Sequence, residues 1–213
     1  MAYDPTIVEA RGVREITLKA SNTAVPGTLL GYSSGWCLAD ADARIKAELI
    51  ALDYGVGGSV IHAAPVATLW DRDAPFTAGD AQWLSATAGA YTATKPALST
   101  TLTLHQKIGK ALDTETLQID LDTSGPMCLA IQVSINPASI AATTKTEQSV
   151  TATGALATDF VIVQAPASVE NDLVVGHARA AADTIEVAFA NIDNTNAVDG
   201  AALTWAFLLL RFA

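Results

Sequence analysis

Gly31-Tyr32-Ser33-Ser34-Gly35 fits the pattern G-x-S-x-G, in which a serine on a tight turn serves as a nucleophile. That chemistry needs a strand before the serine and a helix after it. The next residues here, Trp36-Cys37-Leu38, are a strand signal, and no alternating strand–helix pattern exists to deliver His105 or His177. The expectation is a plain hairpin turn. Gly55-x-Gly57-Gly58 is rich in glycine, but it lacks the opening helix and the lysine of a phosphate cradle, so a turn is expected there too. His62, His105 and His177 stand alone, without an H-E-x-x-H or paired-cysteine spacing. Each is expected to be a hydrogen-bonded structural or surface histidine; metal binding or pH sensing on an oligomer axis is the alternative. Two runs gather oxygen ligands: Asp71-Arg72-Asp73, and Asn191 to Gly200 with Asp193, Asn194, Asn196 and Asp199. The second could hold calcium. It lacks the EF-hand spacing and the terminal glutamate, and the same residues suit a solvated β-turn. No carboxylate pair argues for acid–base work. The chain is therefore expected to carry no catalytic, cofactor-binding or metal residue, and to need no cofactor.

Half of the 213 residues are hydrophobic, many of them alanine, so a sizeable core is expected, lean in large side chains. Only 16% are Asp, Glu, Lys or Arg, a low share for a free-standing surface. Such a surface suits a protein packed against others, and equally a globule with many small surface residues. The net charge of −10 argues against binding nucleic acid through its phosphates, which takes clustered Lys and Arg. It argues equally against anionic membrane surfaces. Cys37 and Cys128 each sit among apolar neighbours and read as small buried hydrophobes; a disulfide between them is left open. The start, MAYDPTIVEARG, lacks the basic and apolar regions of a signal peptide. The run Trp205 to Leu210 is too short to span a bilayer. Synthesis in the cytoplasm without export is expected.

The elements that would position these residues read as strands throughout. Glu15 to Lys19 alternates cleanly. Pro26-Gly27 turns the chain into a strand over Thr28 to Tyr32, and Trp36 to Leu38 returns. Lys46 to Asp53 has helical propensity, but Ile50-Ala51-Leu52 runs straight into the glycine turn, so a strand is expected. Another strand is expected from Val60 toward Trp70. Trp83-Leu84, Thr101 to Leu104, Lys107 to Leu112, and Leu117 to Leu121 read as strands joined by turns. Cys128 to Ile135 alternates, with Leu129, Ile131, Val133 and Ile135 on one face. Gln148 to Thr153, Phe160 to Gln164, Asp172 to Ala178, Thr184 to Asn191 and Leu203 to Phe212 complete a strand-dense final part. Its short, turn-bounded strands suggest a sandwich or barrel. The last strand is apolar on both faces, as a central or partner-covered strand would be. The boundaries expected are an N-terminal arm over 1–14, a β domain over 15–137, a linker over 138–145 with Thr123 as a rival break, and a β module over 146–213.

The stretches WLSATAGAYTAT and KIGKALDTETLQIDL, within Gly79 to Asp122, resemble the closing half of a small β domain of tailed-phage structural proteins. There a D-x-L/W-L-S-A-T-A-G strand and turn precedes a V/I-G-x-A-L-x-x-x-T-L-x-I-x-L hairpin. The best-known members are capsid cement, or head decoration, proteins. GTLLGYSSGWCLADADA, AELIALDYGVGG and SVIHAAPVATLWD upstream also fit, so the resemblance covers Glu15 to Asp122. VTATGALATDFVIVQAP, GHARAAADTIEVAFANID and TWAFLLLRF are similar to a β module at the ends of many phage virion proteins.

The resemblance implies an all-β fold, with an N-terminal small β-barrel or β-sandwich-like domain followed by a C-terminal β-sandwich module. It implies a homotrimer seated on the exterior of the phage head, assembled in the host cytoplasm, whose partners are the major capsid protein and itself. No nucleic acid or membrane is an expected partner. The C-terminal module departs from the family, many of whose members have one domain. A tail or fibre component is the alternative; so, from other classes, are a carbohydrate-binding β module using Trp36 or Trp70 and an esterase resting on Gly31 to Gly35.

Overall fold

A computed structural model of the chain describes residues 5–72, 76–121, 124–137, 139–169 and 172–212. The described elements are strands: β1 (Thr6–Arg11), β2 (Arg14–Thr17), β3 (Thr23–Ala24), β4 (Leu29–Tyr32), β5 (Trp36–Leu38), β6 (Leu49–Ala51), β7 (Gly55–Val56), β8 (Val60–Ala64), β9 (Val66–Trp70), β10 (Ala81–Leu84), β11 (Tyr91–Thr92), β12 (Thr103–Leu104), β13 (Lys107–Ala111), β14 (Thr116–Asp120), β15 (Met127–Ile135), β16 (Lys145–Thr151), β17 (Phe160–Gln164), β18 (Leu173–Ala181), β19 (Thr184–Asn191) and β20 (Leu203–Arg211). The fold is all-β, and its ladders are antiparallel. Two compact units divide the chain, one of residues 1–97 and 104–125, the other of 98–103 and 126–213.

The first unit holds a six-stranded sheet in the order β1-β9-β14-β13-β10-β11 and a five-stranded sheet in the order β2-β8-β6-β4-β5. The five-stranded sheet curls until its two edges meet at a single parallel bridge between Leu18 and Trp36. Among the described residues no continuous ladder closes it into a barrel. Ile16, Leu18, Leu30, Leu49 and Ile61 form its core, with Ala24, Ala51 and Ala63 filling the spaces between them. Alanine limits the depth of such a core, as the composition led one to expect.

A buried glutamine fastens this unit internally. The Ala47 backbone N–H donates to Gln106 Oε1 at 2.8 Å, and Gln106 Nε2 donates to the Ala47 carbonyl, also at 2.8 Å. Gln106 is 8% exposed and Ala47 fully buried. Buried backbone groups left without partners cost roughly 1–3 kcal/mol each. Gln106→Ala is therefore expected to destabilise the first unit by about 2–3 kcal/mol, read as a lower urea midpoint in tryptophan fluorescence.

The second unit is a β-sandwich. A four-stranded sheet, β12-β15-β20-β17, faces a three-stranded sheet, β16-β19-β18. Alternation places Ile185, Val187 and Phe189 inward from β19, and Trp205, Phe207 and Leu209 inward from β20, each at most 1% exposed. Trp205 meets Phe189 edge to face, with centroids 5.2 Å apart. Among the described residues the largest fully buried side chains, Trp205, Phe189 and Phe207, all lie in this unit.

The structure corrects several sequence expectations. Thr6–Arg11, within the expected arm 1–14, is instead the edge strand β1, paired with β9; residues 1–4 lie outside the described residues. The boundary expected at 138–145 falls earlier, between Gly125 and Pro126, close to the rival at Thr123. The cause is the ladder of β15, which pairs along its whole length with β20. Within the expected linker, Ile140 bridges Val198 and β16 already begins at Lys145, while Ala138 lies outside the described residues. The strand expected from Val60 to Trp70 breaks at Pro65, which lacks an N–H, and its halves join different sheets. Of the strand expected over Thr101 to Leu104, only Thr103–Leu104 is extended in a ladder.

Candidate functional site

Ser33 and Ser34 sit at the tip of the β4–β5 hairpin. Ser34 takes a left-handed φ of 53°, and the Ser33 N–H donates to the Gly35 carbonyl at 3.0 Å. Lys19 Nζ donates to the Ser33 carbonyl and to Ser34 Oγ, each at 3.2 Å. A strand comes next, so the backbone is that of a hairpin and not a nucleophile elbow. Gly57 and Gly58 form the turn that joins β7 to β8. A Cβ on Gly57 would stand 2.0 Å from the Ala20 carbonyl oxygen, so the glycine is there for close backbone approach.

The three histidines do not come together. His62, exposed on β8, holds Nδ1 2.6 Å from Asp53 Oδ2, and its Nε2 is 3.7 Å from Glu15. The hydrogen bond from the His62 backbone N–H, then the one from its side chain, lower the Asp53 pKa. His105 is half-buried; desolvation, then the Lys95 charge, lower its pKa and favour the neutral ring. His177 pairs with Glu147 at 3.2 Å on the outer face of the sandwich. Among the described residues, no group of three or more His, Cys, Asp or Glu side chains is placed to hold a metal ion.

The oxygen-rich run 191–200 is a turn closed on itself. Asp193 Oδ1 accepts from the Thr195 N–H at 2.7 Å and from the Asn196 N–H at 3.0 Å, and these bonds hold its pKa well below the ordinary carboxylate range. Asn191, 2% exposed, donates to the Ile140 and Asn196 carbonyls. In the other run, Asp71 is buried and Asp73 lies outside the described residues. Cys37 and Cys128 are both free thiols. Trp36 is stacked under Arg14 at 5.1 Å and edged by Tyr32, while Trp70 donates to Glu115 at 3.1 Å and is 40% exposed. A shallow cavity of about 340 Å³ lies in the first unit between Pro26 and Tyr91 and carries no charged side chain.

Apolar surface is the feature that sequence reasoning did not locate. Phe160 and Ile162 on β17 are 64% and 52% exposed, and Phe212 after β20 is 60% exposed. The register sets Phe160 opposite Leu210 and Ile162 opposite Leu208, so these side chains share one outward face. Phe160 and Phe212 meet edge to face at 5.6 Å. The two-sided apolarity of 203–212 implied a central or partner-covered strand, and β20 is central, between β15 and β17. On β1, Val8 is 65% exposed, beside the bulge between Ile7 and Glu9.

The described residues define a two-unit all-β protein of open antiparallel sheets whose most conspicuous surface is apolar. No helix among them is long and apolar enough to cross a membrane. Comparison with protein-family models, with curated proteins and with solved structures finds no match for the chain.

Proposed function

We propose that the chain is a capsid decoration protein of a tailed phage, binding the outside of the expanded head as a trimer and holding neighbouring shell subunits together against internal pressure. The observation that carries this reading is the sequence resemblance over Glu15 to Asp122. WLSATAGAYTAT runs from the second half of β10 through the turn and β11, and KIGKALDTETLQIDL spans the β13–β14 hairpin. The work is mechanical. Each trimer adds contact area that expansion of the shell must break. Buried apolar surface contributes roughly 25 cal/mol per Å² before the costs of association, and symmetry repeats the gain at every site. The surfaces suited to such contacts are the outer edge of β1 with Val8, which has no ladder partner among the described residues, and the apolar face of the second unit.

Purified chain is expected to attach to expanded heads that lack it and to raise the temperature at which they release DNA. Attachment to unexpanded shells is expected to be weak. Failure to attach to expanded heads would remove the proposal. The resemblance of the last part of the chain to modules at the ends of virion proteins favours, as a second reading, a tail or fibre component.

A further inference from the structure

We infer that the outward face of the six-stranded sheet in the first unit, around Trp70, binds a neutral oligosaccharide. The inference stands apart from the capsid reading, and neither needs the other. Trp70 is 40% exposed, and its indole N–H donates to Glu115 at 3.1 Å, which holds the ring in one orientation. Cross-strand register sets a hydroxyl on either side of it: Thr6 of β1 and Thr116 of β14 both stand opposite Trp70. The next outward row, Glu9, Thr68 and Gln118, crosses the same three strands. The surface dips there into a dent of about 40 Å³ with Glu9, Arg11, Thr68 and Gln118 on its walls. Residues two apart on a strand sit about 7 Å apart on one face, so the ring of Trp70 and the dent at Thr68 are neighbours.

The chemistry of the two rows selects the ligand. A sugar ring has C–H-rich faces and a rim of hydroxyls. The faces stack on an indole, which offers a flat apolar surface. The rim needs donors and acceptors side by side. Thr68 and Gln118 each supply both, Glu9 accepts and Arg11 donates. An apolar protein partner would suit this face poorly, because it would take water from these groups and give nothing back.

Charge narrows the class to neutral sugars. Arg11 Nε donates to Glu9 at 2.9 Å, so these two charges offset each other. Lys110, opposite Gln118 on β13, and Asp120, two residues on from Gln118, are also of opposite sign. Phosphate or sulfate groups would need clustered Lys and Arg, which this face lacks. The other exposed platform weighed from the sequence, Trp36, is taken up within the fold: Arg14 lies over its ring at 5.1 Å, and Tyr32 meets it edge on.

NMR titration of the unmodified chain tests this, with neutral hexasaccharides of glucose, galactose, mannose and N-acetylglucosamine as probes and a hexamer of galacturonic acid as the charged control. The Trp70 indole N–H signal is identified as the one missing from Trp70→Phe. At least one neutral hexasaccharide is expected to shift that signal and the Thr68 and Gln118 amides to saturation, while the charged hexamer leaves them in place. Trp70→Ala should weaken the binding at least about tenfold, and Gln118→Ala about threefold, the usual worth of one hydrogen bond. Both should keep the native circular dichroism; if Trp70→Ala does not fold, Gln118→Ala, at an exposed position, carries the comparison. Absence of any saturable shift would overturn the inference. So would binding that leaves the Trp70 indole unmoved, a folded variant that binds as well as the unmodified chain, or equal binding of the charged hexamer. Attachment to phage heads does not enter these readings, so this inference and the capsid reading fail separately.

Discussion

Trp205→Ala is expected to lower the stability of the second unit by about 3–5 kcal/mol, a large part of the ~5–15 kcal/mol that a domain possesses. Trp205 is 1% exposed and packs edge to face on Phe189, so both sheets of the sandwich lose their main contact together. The void cannot readily collapse, because β20 is bonded to β15 on one side and to β17 on the other. Trp205→Phe should cost less. It keeps most of the ring contact, and it removes an indole N–H that is buried with no hydrogen-bond partner among the described residues. The measurement is urea unfolding by far-UV circular dichroism, with amide exchange in β15, β19 and β20 to assign the loss to this unit. A change within about 0.5 kcal/mol, the range of surface substitutions, would contradict the packing described.

Asp159→Ala is expected to cost a comparable amount, about 3–5 kcal/mol, because it strands a partly buried cation. Asp159 is 7% exposed. Its Oδ1 accepts from Arg211 Nε and its Oδ2 from Arg211 Nη2, both at 2.7 Å, and Oδ2 also accepts from the Leu156 N–H at 2.9 Å. Arg211 in turn donates to the Gly154 carbonyl, so one guanidinium ties the loop between β16 and β17 to the end of β20. Burial alone would raise the Asp159 pKa; the Arg211 hydrogen bonds, the Leu156 N–H and the Arg211 charge outweigh it and leave the pKa lowered. The folded state therefore binds this proton more weakly than the unfolded chain does. The stabilisation is fully present above the unfolded carboxyl value of about 3.9 and is lost as pH falls through the lower folded value. Three of the four tryptophans, Trp36, Trp70 and Trp83, belong to the first unit, so amide exchange in β15, β19 and β20, and not the summed emission, reports the second. Acid titration should weaken the unmodified second unit more steeply than Asp159→Asn. Equal acid sensitivity would show that the pair does not hold this loop.

Where the chain alternates without interruption, the sequence already shows the strand. Thr184–Asn191 and Phe160–Gln164 have the predicted ends, and Ile185, Val187 and Phe189 face the core. β1 escaped notice for a local reason: the register shift between Ile7 and Glu9 breaks the period of two, and Pro5 and Gly12 bracket the strand with turn signals. The unit boundary escaped for a non-local one. Alternation in Met127–Ile135 announces a strand but does not name its partner, and that partner, β20, begins 68 residues after the strand ends, at Leu203. The same limit hid the pair of Asp159 with Arg211, 52 residues apart, and that of Gln106 with Ala47, 59 apart. The turn chemistry of Ser33 and Asp193 was legible because it depends on neighbours in the chain. The apolar face of β17 was legible only in part, since exposure depends on which sheet a strand joins and at which edge.

The capsid reading is tested most directly by a protein inventory of tail-free, DNA-filled heads of the phage that carries this chain. The proposal predicts the chain there at a copy number comparable to that of the major capsid protein. Its absence from such heads, with a few copies in whole particles, would place it in the tail and contradict the mechanism proposed.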